Sequence, residues 1–104
     1  MIRQFDVVPN PIRKGRPERP YLICVQHRFL DAADTRVLAP LAIARAFHHW
    51  PRLNPELIVL GQSLFLVPTE LTSLSLKMLQ QPISNAEADR ARIIAALDLV
   101  FTGV

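Results

Sequence analysis

The sequence has little of what staples or powers a small protein. Its 104 residues include one cysteine (Cys24), three glycines and one tryptophan (Trp50). A lone cysteine excludes an intrachain disulfide and a thiolate zinc site. The histidines are three: His27, His48 and His49. Neighbouring side chains point apart on a helix or a strand, so His48 and His49 do not chelate one ion, and no carboxylate lies between Phe47 and Asn54 to help them. There is no P-loop, G-x-G-x-x-G, H-E-x-x-H or C-x-x-C. No stretch approaches the ~20 apolar residues of a membrane span, and Met1 to Asp6 lacks the apolar region of a signal peptide. Disorder and low complexity are excluded, because 50% of residues are hydrophobic and only 20% charged. The expectation is one soluble, cytoplasmic domain spanning 1–104, with no cofactor, no metal and no membrane association.

Proline and positive charge are plentiful. The net charge is +3. Arg13, Lys14, Arg16 and Arg19 share a short stretch with Pro9, Pro11, Pro17, Pro20 and Gly15, and Glu18 is its only acid. Proline fixes φ and removes backbone donors, so this stretch reads as an exposed loop. Its charge is that of a solvated loop, of a docking surface for an acidic partner, or of a DNA contact.

Most of the remaining pattern is that of strands. Arg3 to Val8 ends at Pro9. Tyr21 to Gln26 is an apolar run long enough for a central strand. Glu56–Leu60 and Ser63–Val67 flank Gly61-Gln62, which reads as a hairpin with Gly61 first in a type II′ turn. Thr72 to Leu79 alternates, with Leu74, Leu76 and Met78 expected inward and Ser73, Ser75 and Lys77 outward. Leu38 to Trp50 is a short helix or an irregular segment, bracketed by Pro40 and Pro51. Ser84-Asn85-Ala86-Glu87 has the S-x-x-E form of a capping box. Ala86, Arg90, Ile93, Ile94, Leu97, Val100 and Phe101 follow at helical spacing, and Gly103 suits a left-handed C-cap. Strands first and one helix last argue for an α+β, mainly β fold, or a small barrel with a terminal helix.

Catalytic constellations do not emerge. The acids are scattered, Glu87 is explained by capping, and Cys24 reads as a small buried hydrophobe. The last residues, Phe101-Thr102-Gly103-Val104, either pack the final turn on the sheet or project into a partner.

Several blocks taken in order resemble a known family. Val25-Gln26, Leu30-Asp31, Thr35-Arg36-Val37, Pro40-Leu41 and Ala44-Arg45 resemble the first signature block of the CcdB family of plasmid-maintenance toxins. Thr69-Glu70-Leu71-Thr72-Ser73 is similar to that family's middle segment, and Ile94 to Val104 to its terminal helix and aromatic-x-Gly-aliphatic tail. The resemblance covers essentially the whole chain.

It implies a small SH3-like barrel with an added antiparallel sheet and a C-terminal α-helix, shared with the MazF-type toxins, acting as a symmetric homodimer. It implies a toxin of a type II toxin–antitoxin system that binds the DNA gyrase A subunit and traps the gyrase–DNA cleavage complex without catalysis. A cognate antitoxin with an acidic, disordered tail neutralises such toxins, and the pair regulates its own transcription; the toxin alone does not read DNA sequence. Carried over by position, the gyrase contacts would be Thr102, Gly103 and Val104, with Phe101 and Asp98 on the helix and Phe29 and Leu30 in a second patch. Antitoxin contacts would fall in the regions containing Arg13, Lys14 and Arg16 and containing Phe47 and Trp50.

One departure bears on potency. The best-known members have Trp immediately before the Gly, where this chain has Thr102; an interfacial Trp is commonly a hot spot whose truncation costs about 2 kcal/mol or more. Two alternatives follow from other features. A MazF-like endoribonuclease would need polar and basic groups at the scissile phosphate, for which Thr35-Arg36 is the candidate pair. An inactive homologue that only binds antitoxin would fit Thr102.

Overall fold

A computed structural model describes residues 1–104 as an antiparallel sheet with one long helix, joined by single 3-10 turns. The strands are β1 (Asp6–Pro9), β2 (Tyr21–Cys24), β3 (Thr35–Ala42), β4 (Glu56–Val59), β5 (Gln62–Leu66), β6 (Thr72–Ser75) and β7 (Ser84–Asn85). The helix α1 is Arg90–Thr102. Spatial order is β4-β5-β3-β2-β1-β7, with β6 paired to β3. β3 holds β2 along one edge and divides the other: Thr35–Leu38 pairs with β6, and Leu41–Ala42 with β5. One strand shared between two neighbours curls the sheet towards a barrel, so the fold is the expected α+β, mainly β architecture with a C-terminal helix.

Both faces of the central strands are covered. Val7, Ile23, Ala39 and Leu41 join Leu57, Leu64 and Leu66 in a core closed by Ile93 and Ala96 of α1. On the opposite face Val8, Leu22, Cys24 and Leu38 meet Ile2, with Leu74, Leu76 and Leu79 packed against them. Successive strand residues face opposite ways, so burial on both sides requires an unbroken apolar run, as in Tyr21-Leu22-Ile23-Cys24.

The structure departs from expectation in several places. β1 begins only at Asp6, because Arg3 to Phe5 is a turn in which the Asp6 N–H donates to the Arg3 carbonyl. Phe5 is fully buried at φ 69°, a conformation rare for a bulky residue and held here by packing and by the Arg90 guanidinium over its ring at 5.3 Å. Leu38 to Trp50 is mostly not helical: its first half belongs to β3, and only Ala44–Ala46 forms a 3-10 turn. Pro40 survives inside β3 because the Val25 N–H donates to the Val37 carbonyl, which sets the phase of the ladder. The alternation of an antiparallel ladder then makes Leu22 and Pro40 a pair without mutual bonds. Pro40's carbonyl instead accepts from Val67 on the other edge.

The hairpin turn lies one residue earlier than predicted. Val59 pairs with Gln62, so Leu60 (φ 49°) and Gly61 (φ 82°) are the central pair, and two positive φ values make the turn type I′. β6 stops at Ser75, whose hydroxyl accepts from the Lys77 N–H and starts a 3-10 turn; Met78 is exposed, not in the core. Ser84 is no helix cap. It pairs with Val7 in β7, and the Asn85 side-chain oxygen takes the Glu87 N–H instead, at 2.8 Å. A 3-10 turn at Glu87–Asp89 then leads into α1. The C-terminal expectation holds: Gly103 is left-handed (φ 77°), and its N–H donates to the Leu99 carbonyl. Phe101 lies off the buried stripe and points to solvent.

Candidate functional site

Large apolar side chains are exposed at the end of α1 and on the turn between β2 and β3, as they also are at Met1, Ile12, Ile58, Leu60 and Met78. Phe101 and Val104 are 69% and 83% exposed, Phe29 and Leu30 are 87% and 58% exposed, and Trp50 is 60% exposed. Two of these belong to one short tip. Ile93 and Ala96 anchor α1 in the core, so the last turn extends from a fixed base, with Gly103 closing it. The Thr102 hydroxyl donates to the Asp98 carbonyl at 2.8 Å and accepts from the Val104 N–H at 3.4 Å. That leaves the Thr102 methyl and the Phe101 ring as the apolar surface of the tip. No basic residue occupies the last turn, and the exposed Asp98 sets a negative charge close to a helix end that already carries partial negative charge. Local helix stability would favour a cation there, so Asp98 is a residue whose presence the helix itself does not explain.

Phe29 and Leu30 sit in a 3-10 turn, Arg28–Leu30, between β2 and β3. The His27 ring lies 4.6 Å from that of Phe29, and its Nδ1 accepts from the Phe29 N–H. This turn and the helix tip ride on different elements, and no hydrogen bond links them.

Arg36 is fully buried. Its Nε donates to the Ile2 carbonyl (2.9 Å), Nη1 to those of Ala33 (2.8 Å) and Thr35 (2.9 Å), and Nη2 to that of Asp31 (3.0 Å). Asp31 Oδ1, buried without a hydrogen bond, lies 3.9 Å from Nη2. The donors that an endoribonuclease would aim at a phosphate are therefore turned into the fold, and Thr35-Arg36 is withdrawn as a catalytic pair. Sequence reasoning also missed Gln26, a buried side chain that binds the same loop. Pattern reading has no signal for either, since an isolated polar residue beside a strand looks solvated.

The basic loop and the Phe47–Trp50 segment are linked through Glu70. Arg19 makes a bidentate contact with Glu70 (2.7 and 2.9 Å), which raises the Arg19 pKa chiefly through that hydrogen bond. Glu70 in turn lines a depression of about 320 Å³ together with Phe47 and Trp50. The Ile43 N–H also donates to the Glu18 carbonyl. Arg13 and Lys14 remain exposed, whereas Arg16 uses its Nε on the Asn10 carbonyl at 2.6 Å. Asn54 holds the Trp50 segment: its side chain accepts from the Trp50 N–H (2.9 Å) and donates to the Leu66 carbonyl (3.0 Å).

A larger depression, about 710 Å³, is lined mainly by polar residues, including Arg3, His27, Arg28, Glu87 and Arg90. No three His, Cys, Asp or Glu side chains gather where they could hold a metal ion. No helix is long and apolar enough to cross a membrane. Burial raises the Cys24 pKa and keeps its thiol protonated, away from nucleophilic chemistry.

Compared with known proteins, the chain is matched over residues 4–103 by the family model described as CcdB protein. No curated protein matches it.

Proposed function

The chain belongs to the CcdB family, non-enzymatic toxins of toxin–antitoxin systems, and from that premise we propose that it poisons DNA gyrase. It binds the gyrase A subunit as a symmetric homodimer and holds the enzyme on cleaved DNA. The observation that carries this reading is the solvent-facing apolar tip, Phe101 to Val104, on a helix whose base is packed in the core. Exposed large apolar side chains on an anchored element are the usual signature of a protein contact. Thr102, Gly103, Val104, Phe101 and Asp98 form the principal contact, and Phe29 with Leu30 the second. Phe101 supplies the aromatic surface that Trp provides in the best-known members. Two-fold pairing of the tips suits a two-fold target.

The antitoxin docks on the other surface. Arg13 and Lys14 attract its acidic tail, and the depression beside Phe47 and Trp50 receives an apolar side chain. The Arg19–Glu70 contact, which ties the basic loop to that depression, supports joining the two regions into one site.

Expression without antitoxin is expected to arrest growth, and removal of Gly103 and Val104 to restore it with the fold retained. Purified protein should accumulate cleaved DNA in the presence of gyrase and leave single-stranded RNA intact. A well-folded wild type that leaves growth and gyrase untouched while binding antitoxin would replace this reading with that of an inactive homologue.

A further inference from the structure

We propose that Arg36, with Gln26, is the positioning residue of the Phe29–Leu30 contact. Two buried side chains pre-shape the β2–β3 loop, so that the exposed Phe29 ring and Leu30 side chain are held in one conformation. This inference rests on the reading that Phe29 and Leu30 touch gyrase.

The loop needs such a device. Residues 27 to 34 carry no strand pairing of their own; Phe29 is largely exposed beside the His27 ring, and Leu30 is more than half exposed. The backbone is instead gathered from inside. Arg36 takes the carbonyls of Asp31, Ala33 and Thr35 and ties them to the carbonyl of Ile2, a residue of the second core. Gln26 Nε2 donates to the carbonyls of Leu30 (3.1 Å) and Thr35 (3.3 Å), while its Oε1 accepts from the Val37 N–H (3.0 Å). The two side chains thus reach loop carbonyls on Leu30, Asp31 and Ala33, directly behind the exposed pair. A guanidinium has five donors in a planar fork, which suits several carbonyls at once; lysine has three on a flexible stem and is no substitute. A loop held in its binding conformation before encounter avoids the ordering cost on binding.

If the competent loop conformation falls to about a tenth of the population, apparent affinity falls about tenfold. Two variants test this. Arg36→Met removes the fork. Gln26→Glu keeps the acceptor for Val37 but loses the donor to Leu30 and Thr35; the Thr35 carbonyl still has Arg36 Nη1, so the variant loosens chiefly the Leu30 side of the loop. Leu64→Ala, in the main core and remote from the loop, serves as a control of reduced stability. Hydrogen exchange is followed at Leu30, Asp31 and Ala33, whose amides are bonded within the loop, and affinity for the gyrase A subunit is measured in parallel. Faster exchange at those amides by about tenfold or more, a matching loss of affinity, and retained affinity in Leu64→Ala support the proposal. Wild-type exchange in a folded variant overturns it, as does fast exchange with unchanged affinity. Should Arg36→Met fail to fold, Gln26→Glu decides alone. A wild type that does not bind gyrase overturns the functional reading, and the exchange data then judge the loop anchoring by themselves.

Discussion

Truncating Phe101 separates the binding role of the α1 tip from its structural role. The ring is 69% exposed, so only about a third of it is withdrawn from water. Full burial of a Phe is worth about 1.5–3 kcal/mol, and a third of that puts Phe101→Ala at roughly 0.5–1 kcal/mol of stability. For a chain of this size the melting temperature should fall by no more than about 8 °C. Ile93, about two turns earlier in the same helix, is fully buried. Its truncation to Ala should cost about 2–5 kcal/mol, because it leaves a cavity under the helix. Binding should rank the two the other way. An aromatic anchor at an interface costs about 2 kcal/mol or more on truncation, which is roughly a thirtyfold loss of gyrase affinity for Phe101→Ala. The assay is a pair of measurements on each variant: urea unfolding and equilibrium binding to the gyrase A subunit. Both are repeated at several protein concentrations, since a tip that also joins two subunits makes the wild-type transition concentration-dependent. A stability loss above about 3 kcal/mol for Phe101→Ala would mean that the ring is part of the fold. Unchanged affinity would mean that the tip is not the contact.

Other outcomes are expected. Leu60→Asn should stabilise the fold by about 0.5–1 kcal/mol, seen as a higher urea midpoint at unchanged m, since the side chain is exposed and Asn tolerates the left-handed conformation that strains Leu60; a fall in midpoint would refute the strain. Asn54→Ala should cost about 1–3 kcal/mol by stranding the Leu66 carbonyl and the Trp50 N–H, and the fluorescence of the sole tryptophan should shift towards that of a solvated ring. The Cys24 pKa is raised by burial above its ordinary 9.0. A thiol so shifted contributes its full stability below the unfolded value and loses it as pH rises through the folded one. Native protein should therefore resist alkylation, and alkaline unfolding should be blunted in Cys24→Ala; an equal alkaline decline in both would exclude Cys24 as its cause.

Legibility varied with how local the cause was. The Tyr21–Cys24 run, the β4–β5 hairpin, the apolar stripe of α1 and the Gly103 cap were readable because side-chain period and a flexible residue are written in consecutive positions. β3 was not, because Pro40 and the alanines argue locally against a strand and only the pairing alternation with β2 removes the objection. The capping box at Ser84 was a local option that lost to pairing with Val7 in β7, where the sheet offered the backbone more. Among the candidate site residues, the tip and the Phe29–Leu30 pair were both named through the family resemblance, and neither the exposure of Phe29 nor the burial of Arg36 could be read from the pattern. A phenylalanine ordinarily goes inward and an arginine outward, and here each does the opposite.

By itself the sequence determined the chemistry on offer: one thiol, no metal cluster spacing, an apolar tail closed by Gly103, and ordered blocks sufficient to indicate the family. Tertiary structure decided where that chemistry faces. It joined the basic loop to Trp50 through Arg19 and Glu70, and it turned the Arg36 fork towards carbonyls brought together from Ile2, Asp31, Ala33 and Thr35. The reason is physical: period and propensity act between near neighbours, while desolvating a charged or polar group is tolerable only where distant backbone supplies its partners, and that supply exists only once the sheet has closed.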